Sequence, residues 1–344
     1  MWGKLAAQLP PIAQSLYNEA YKHDTIRGQY CINNGAVAMA TDDGNSFYLQ
    51  WFPIGETPAT HPLLVTIHGT AGNAFDEFYL WHQYAAAKGV GIIAMQWYRG
   101  DASVSPNDYF DDTTLYNYID TALTRIQYPF NKAFFHGFSR GSAISYAIAF
   151  RDVQKSGKNY FCTIMSNSGK PDSSYYLYAQ INSGNFGHTF YNGKHWGVFC
   201  GGLDSGLQTC CQAMYDSKLW VEANNGIVDL FIQDPNLGHG GFQQTPAYID
   251  SALNYYLPCY FDTTSAIDNV PNTSFKIFPN PVENNLFLNI ETNDLKDIYI
   301  YDLVGLQKKY FKCYGNELNI DVSTFPHGIY IIKINNEVIK FIKK

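Results

Sequence analysis

Between residues 62 and 256 two kinds of hydrophobic pattern take turns along the chain. Short, nearly continuous apolar runs occupy 63–67, 91–96, 133–136, 161–165, 197–200 and 227–232, and longer stretches at 77–88, 114–127 and 142–151 lie between them. Runs this short, with no polar face, predict strands covered on both sides. The longer stretches predict the helices that join parallel strands by right-handed crossovers. Ahead of this region, 11–30 predicts one helix, and 36–39 and 46–52 predict strands. The second of these alternates as a half-exposed antiparallel strand does. The expected architecture up to about residue 256 is an α/β domain with a mostly parallel sheet flanked by helices.

Beyond Cys259 the pattern changes. Residues 261–274 are rich in Asp, Thr, Ser, Asn and Pro without apolar periodicity, which predicts a linker. Short alternating runs follow at 275–278, 286–290, 297–301, 317–322, 328–334 and 337–342, as expected of a small all-β sandwich. The domain organisation read from the pattern is therefore 1–260, a linker at 261–274, and a sandwich at 275–344.

Charge and cysteine content narrow the function classes. Net charge is −7, and Lys or Arg cluster only at the extreme C-terminus, so a nucleic-acid partner is not expected. No apolar run approaches the roughly 18 residues of a membrane-spanning helix. The seven cysteines form no C-x-x-C pair and have no histidine at finger spacing, which argues against structural zinc. Cys200, Cys210 and Cys211 gather around one loop, where a disulfide and free thiols are both open readings; Cys313 is expected to stay unpaired. With no H-E-x-x-H, P-loop or G-x-G-x-x-G present, neither a metal nor a cofactor is expected.

The informative motif is Gly137-Phe138-Ser139-Arg140-Gly141, which follows a predicted buried strand and precedes an alanine- and isoleucine-rich predicted helix. G-x-S-x-G in that setting is a nucleophile elbow: a sharp strand-to-helix turn that pushes the serine hydroxyl into the open, with glycines where neighbouring backbone must pass closely. Together with His68-Gly69-Thr70, Gly72-Asn73 and Gly238-His239-Gly240, it resembles the α/β-hydrolase family. The likeness is to the secreted esterases of the esterase D, feruloyl esterase and polyhydroxybutyrate-depolymerase-like group, across about residues 45–256.

That resemblance implies a triad in the chain order Ser, acid, His. Asp204, after the run 197–200, and His239, after the run 227–232, stand where the family carries its acid and its base. Asp216, Asp229 and Asp234 remain alternatives for the acid, and His136, His188 and His195 for the base. The backbone N–H of Arg140 is one implied oxyanion donor, and by resemblance to the family's H-G-x loop Thr70 is the other, with Ala71 also open. His68 reads as a loop-fixing hydrogen-bonder. Trp97 and Tyr98 follow the run 91–96 and are expected near the site, where their rings could stack on an aryl acid or a sugar. Arg140 departs from the small or methionine residue usual after the family's serine. The implied activity is hydrolysis of carboxylic esters through an acyl-serine, on plant-polysaccharide esters (feruloyl or acetyl) or polyesters. A peptidase of the same fold is the enzymatic alternative, and a non-catalytic glycan-binding surface protein the non-enzymatic one.

The tail resembles the type A C-terminal sorting domain of the type IX (Por) secretion system. Phe278-Pro279-Asn280-Pro281, Ile298-Tyr299-Ile300-Tyr301-Asp302-Leu303-Val304-Gly305, Gly328-Ile329-Tyr330-Ile331-Ile332-Lys333 and the terminal Lys340, Lys343 and Lys344 carry the likeness. It implies that residues 275–344 engage the type IX machinery and that the protein is secreted or held at the cell surface. Such cargo first crosses the inner membrane on a cleavable signal peptide. Residues 1–10 contain no apolar core of about 7–15 residues, so the expectation is that the natural chain starts upstream of Met1.

Overall fold

The apolar runs form one sheet. The computed structural model describes residues 9–53, 58–99, 108–154, 157–171, 176–261, 275–290, 295–302, 306–334 and 337–344. The chain divides into two compact units, Met1–Asp262 and Thr263–Lys344; most of the expected linker, and Leu303, Val304 and Gly305 of the tail motif, lie outside the described residues.

In the first unit, β1 (Val37–Ala40), β2 (Phe47–Trp51), β3 (Leu63–Ile67), β4 (Gly91–Met95), β5 (Ala133–Phe138), β6 (Phe161–Asn167), β7 (His195–Gly201) and β8 (Ile227–Asp234) assemble in the order β1-β2-β4-β3-β5-β6-β7-β8. Pairing is antiparallel from β1 through β2 to β4 and parallel from β4 to β8. Alternate residues feed two cores. Leu63, Val65, Ile67, Ile93 and Phe135 face one side, against α4 (Asp112–Arg125), α5 (Arg140–Val153) and α7 (Cys211–Ala223). Leu64, Ile92, Ala94 and Phe134 face the other, against α1 (Pro11–His23), α2 (Thr25–Asn33), α3 (Ala74–Ala87) and α9 (Pro246–Phe261). Burial on both faces is why these strands carry no polar alternation. This is the α/β-hydrolase fold.

One expectation is corrected in outline. The single helix expected over 11–30 is two, because the Asp24 carboxylate accepts the N–H groups of Ile26 and Arg27 and starts a new helix. Two short helices, α6 (Tyr176–Asn182) and α8 (Gly241–Gln244), are the remaining α-helices among the described residues. A disulfide joins Cys162 of β6 to Cys259 of α9, and another joins Cys200 of β7 to Cys211 at the start of α7; Cys31, Cys210 and Cys313 are free.

The second unit is two antiparallel sheets. β9 (Phe275–Phe278), β10 (Asn285–Ile290) and β13 (Glu317–Asp321) pair in the order β13-β10-β9; β11 (Leu295–Asp302), β12 (Gln307–Tyr314), β14 (Gly328–Ile334) and β15 (Glu337–Lys343) pair in the order β12-β11-β14-β15. Leu286, Leu288, Ile290, Ile298, Ile300, Ile332, Ile334 and Phe341 fill the space between them. The sequence pattern missed β12. Its lysines 308, 309 and 312 hide the strand signal, and it lies at an edge of its sheet, where lysines discourage further pairing.

Candidate active site

The parallel strands all deliver their C-terminal ends to one rim of the sheet, and the strand order reverses between β3 and β5, the crevice where open α/β sheets take ligands. Ser139 sits there, immediately after β5, with φ 54° and ψ −115°. A non-glycine residue with positive φ is strained, so the surroundings must enforce it. They do so by close packing. A Cβ on Gly137 would lie 2.2 Å from the Gly141 carbonyl oxygen, and one on Gly169 would lie 2.1 Å from that of Ser139. The Ser139 N–H is also donated to the Asn167 carbonyl at the end of β6 (2.8 Å).

The other two side chains arrive on neighbouring loops. Asp204 follows β7, and its N–H is donated to the Gly201 carbonyl (3.1 Å). His239 follows β8 on the loop Leu237–Gly240, which is laced to the acid loop by the Leu203 N–H donated to the Leu237 carbonyl (2.9 Å). The Cys200–Cys211 bridge closes the segment that carries Asp204. The three groups form one hydrogen-bond chain: Ser139 Oγ lies 2.8 Å from His239 Nε2, and His239 Nδ1 lies 2.7 Å from Asp204 Oδ2. The imidazole is 40% exposed and the Asp204 carboxylate only 7%. Burial pushes the Asp204 carboxyl up. Hydrogen bonds from the Gly206 N–H, the Thr209 hydroxyl and His239 outweigh that and hold it below the ordinary carboxylate value, so it stays ionised.

The competing residues are occupied elsewhere. His136 is buried in the elbow strand, 2.9 Å from the Thr66 hydroxyl, and His195 pairs with Asp229 at 3.1 Å; His188 is exposed. Asp234 accepts the Tyr248 hydroxyl, and Asp216 accepts the Gln212 side-chain amide.

Beside Ser139 runs the loop that follows β3. The N–H groups of Thr70 and Arg140 make no hydrogen bond among the described residues, whereas that of Ala71 is donated to the Tyr109 hydroxyl (2.8 Å). Ala71 is thereby removed as a donor toward a substrate. His68 is fully buried. Its Nδ1 is 2.9 Å from the Gly69 carbonyl oxygen, and burial drives its pKa down to about 4, so it fixes the loop as a neutral ring. The expectation for Trp97 is corrected. Its indole is fully buried, donates to the His68 carbonyl (2.9 Å) and packs 4.6 Å from the Tyr109 ring, so no face remains for a substrate. Trp97 continues the alternation of β4 and faces the same core as Ile93 and Met95, and a β-bridge from Tyr98 to Tyr109 lies just beside it. Tyr98 itself is largely buried but lines a cavity of about 440 Å³, together with Ala71, Gly72 and Asn73 of this loop and Leu16 and Ala20 of α1.

Three participants carry no motif. Gly169 stands between unremarkable residues, Thr209 is one hydroxyl in a polar loop, and Tyr109 is one tyrosine among 27. No group of three or more His, Cys, Asp and Glu side chains among the described residues could hold a metal ion.

Comparison with known proteins separates the two units. Residues 276–344 match the family model of the secretion system C-terminal sorting domain. The structure resembles the esterase LipW from Mycobacterium marinum (11% identity, TM-score 0.50, 74% of this chain and 92% of that one). It also resembles esterase B from Lactobacillus rhamnosis, solved as a tributyrin phosphonate-inhibited enzyme (13% identity, TM-score 0.50, 75% and 98%). At such identities the likeness is one of fold. No curated protein matches the chain.

Proposed function

We propose that the first unit is a serine hydrolase of carboxylic esters and that the second directs it out of the cell. Ser139 attacks the ester carbonyl while His239 takes its proton, and Asp204 holds the imidazole in the right tautomer and stabilises the imidazolium. Negative charge builds on the carbonyl oxygen, and the unspent N–H groups of Thr70 and Arg140 receive it. Each such donor is worth about 3 kcal/mol in the transition state. His239 then returns the proton to the departing alcohol. Water, activated by the same ring, releases the acid from Ser139. The residues themselves complete this cycle, without a metal or cofactor.

The observation that carries the reading is the unbroken hydrogen-bond chain Ser139–His239–Asp204 at the end of a positive-φ turn. We place the substrates among ester groups on polymers, either feruloyl or acetyl esters of plant polysaccharides or a polyester. An exposed imidazole suits ester bonds presented on a surface, and the sorting domain suits an enzyme that meets its substrate outside the cell. Residues 275–344 are the segment we assign to the type IX machinery, with the product secreted or kept at the cell surface.

The test is covalent labelling with a fluorophosphonate. Wild type is expected to be labelled at Ser139, and Ser139→Ala and His239→Ala to lose the label. A wild-type protein that resists the reagent and hydrolyses no ester in a panel of acyl chain lengths would refute the proposal. Cleavage of peptides in preference to esters would redirect it to amide chemistry.

A further inference from the structure

Arg140 follows the proposed nucleophile directly, and its side chain is not a loose surface group. Its Nε lies 3.3 Å from the Thr70 hydroxyl oxygen, and its guanidinium carbon lies 4.5 Å over the Tyr109 ring. Tyr109 is in turn fixed by the Ala71 N–H and by ring contacts with Trp97 and Tyr98. The cation is thus held on the loop that would face a substrate's carbonyl oxygen, on rigid aromatic backing. What it lacks among the described residues is an anion. Among the described residues no carboxylate pairs with Arg140, although the chain as a whole carries a net charge of −7. Asp204 is committed to His239, Gly206 and Thr209.

A guanidinium has five N–H donors in a planar fork suited to carboxylates. Here one donor meets a hydroxyl and one face meets an aromatic ring, which leaves the terminal nitrogens for a ligand. A pinned, unneutralised guanidinium beside a reacting serine is a specificity element. We propose that Arg140 selects esters bearing a second, ionised carboxylate a few bonds from the scissile carbonyl. On a polymer, that chemistry is an acyl group carried by a polysaccharide containing uronic acids. The inference rests on the ester-hydrolase reading above and names the substrate class for that site.

The test compares kcat/KM for matched ester pairs in wild type, Arg140→Gln and Arg140→Lys. In one pair the acyl part differs, a 4-nitrophenyl hemiglutarate against the neutral 4-nitrophenyl valerate. In the other the alcohol part differs, a butyrate ester of 4-hydroxybenzoate against that of its methyl ester. Wild type is expected to favour the carboxylate-bearing member of at least one pair by tenfold or more, and the pair that responds tells which side of the ester carries the anion. Arg140→Gln is expected to lose that ratio and Arg140→Lys to restore part of it, whatever either does to the neutral ester. A wild-type ratio near one in both pairs overturns the proposal, even if the variants fail to fold. So does an equal loss on both members of each pair, which would make Arg140 a positioning residue for Thr70 and Tyr109. Wild type that hydrolyses none of the four esters overturns the ester-hydrolase reading itself.

Discussion

Gly169→Ala tests whether the elbow geometry is imposed by its surroundings. A methyl group there would stand 2.1 Å from the Ser139 carbonyl oxygen, 3.0 Å from its carbonyl carbon and 3.0 Å from Ser142 Cβ. Relief to ordinary contact requires the turn or the end of β6 to move by about 1 Å, a displacement that costs a reacting geometry on the order of 10²-fold in rate. Ser139 Oγ starts only 2.8 Å from His239 Nε2, so an outward shift of that size breaks the bond. The loss corresponds to ~3 kcal/mol in the barrier. Overpacking should lower stability by about 1–3 kcal/mol as well. The control is Gly89→Ala, at the turn between α3 and β4. Nothing lies within 4 Å of a Cβ there, but φ is +68°, so it strains the backbone at the opposite end of the sheet. The assays are kcat/KM on a short-chain 4-nitrophenyl ester, the rate of fluorophosphonate labelling, and urea unfolding. Gly169→Ala should be slow in the first two, and Gly89→Ala should change only the third. A Gly169→Ala protein with wild-type rates would show that this contact does not hold the elbow.

Two further outcomes follow from the electrostatics. Asp204→Asn keeps the shape of the acid but removes the charge that orients the imidazole, and kcat should fall about 10³–10⁴-fold, measured on the same ester, with little change in unfolding. His68 has a folded-state pKa near 4, below the ordinary histidine value of about 6.5, so the unfolded chain takes up a proton that the folded one refuses as pH falls through that window. Its contribution to stability is present above pH 6.5 and lost toward pH 4, about 2 kcal/mol of it between pH 7 and pH 5. Urea unfolding at those two pH values should show a shallower pH dependence in His68→Gln than in wild type; equal slopes would contradict the burial argument.

How much of this is legible in the sequence depends on whether the cause is local. Strands β3 to β7 are legible because each is buried on both faces and must be continuously apolar; β8, the half-exposed edge strand, is legible only from its apolar run at 227–232. β12 is not, because an edge strand can carry three lysines and lose the pattern without losing the pairing. The break at Asp24 is a capping event, decided by one carboxylate inside a helical pattern that otherwise continues. The Cys162–Cys259 bridge spans 97 residues, and nothing in the spacing of seven cysteines selects it.

The site divides along the same line. Ser139 announces itself because a serine in so sharp a turn needs Gly137 and Gly141 within two residues of it, so cause and signal share one stretch of chain. Asp204 and His239 can be placed only through the order of the strands that precede them. The groups that finish the environment are set by tertiary contact alone. Gly169 is small because the Ser139 carbonyl passes over it, and Trp97 is buried because it packs with Ile93 and Met95 of β4 and against Tyr109, which comes from another segment. Tyr109 works from another segment, taking the Ala71 N–H and backing Arg140. Arg140 joins the two classes. Its place beside Ser139 is readable in the motif, but only the fold, by resting its guanidinium on Tyr109 with no carboxylate paired to it among the described residues, turns an unusual letter into a candidate determinant of substrate charge.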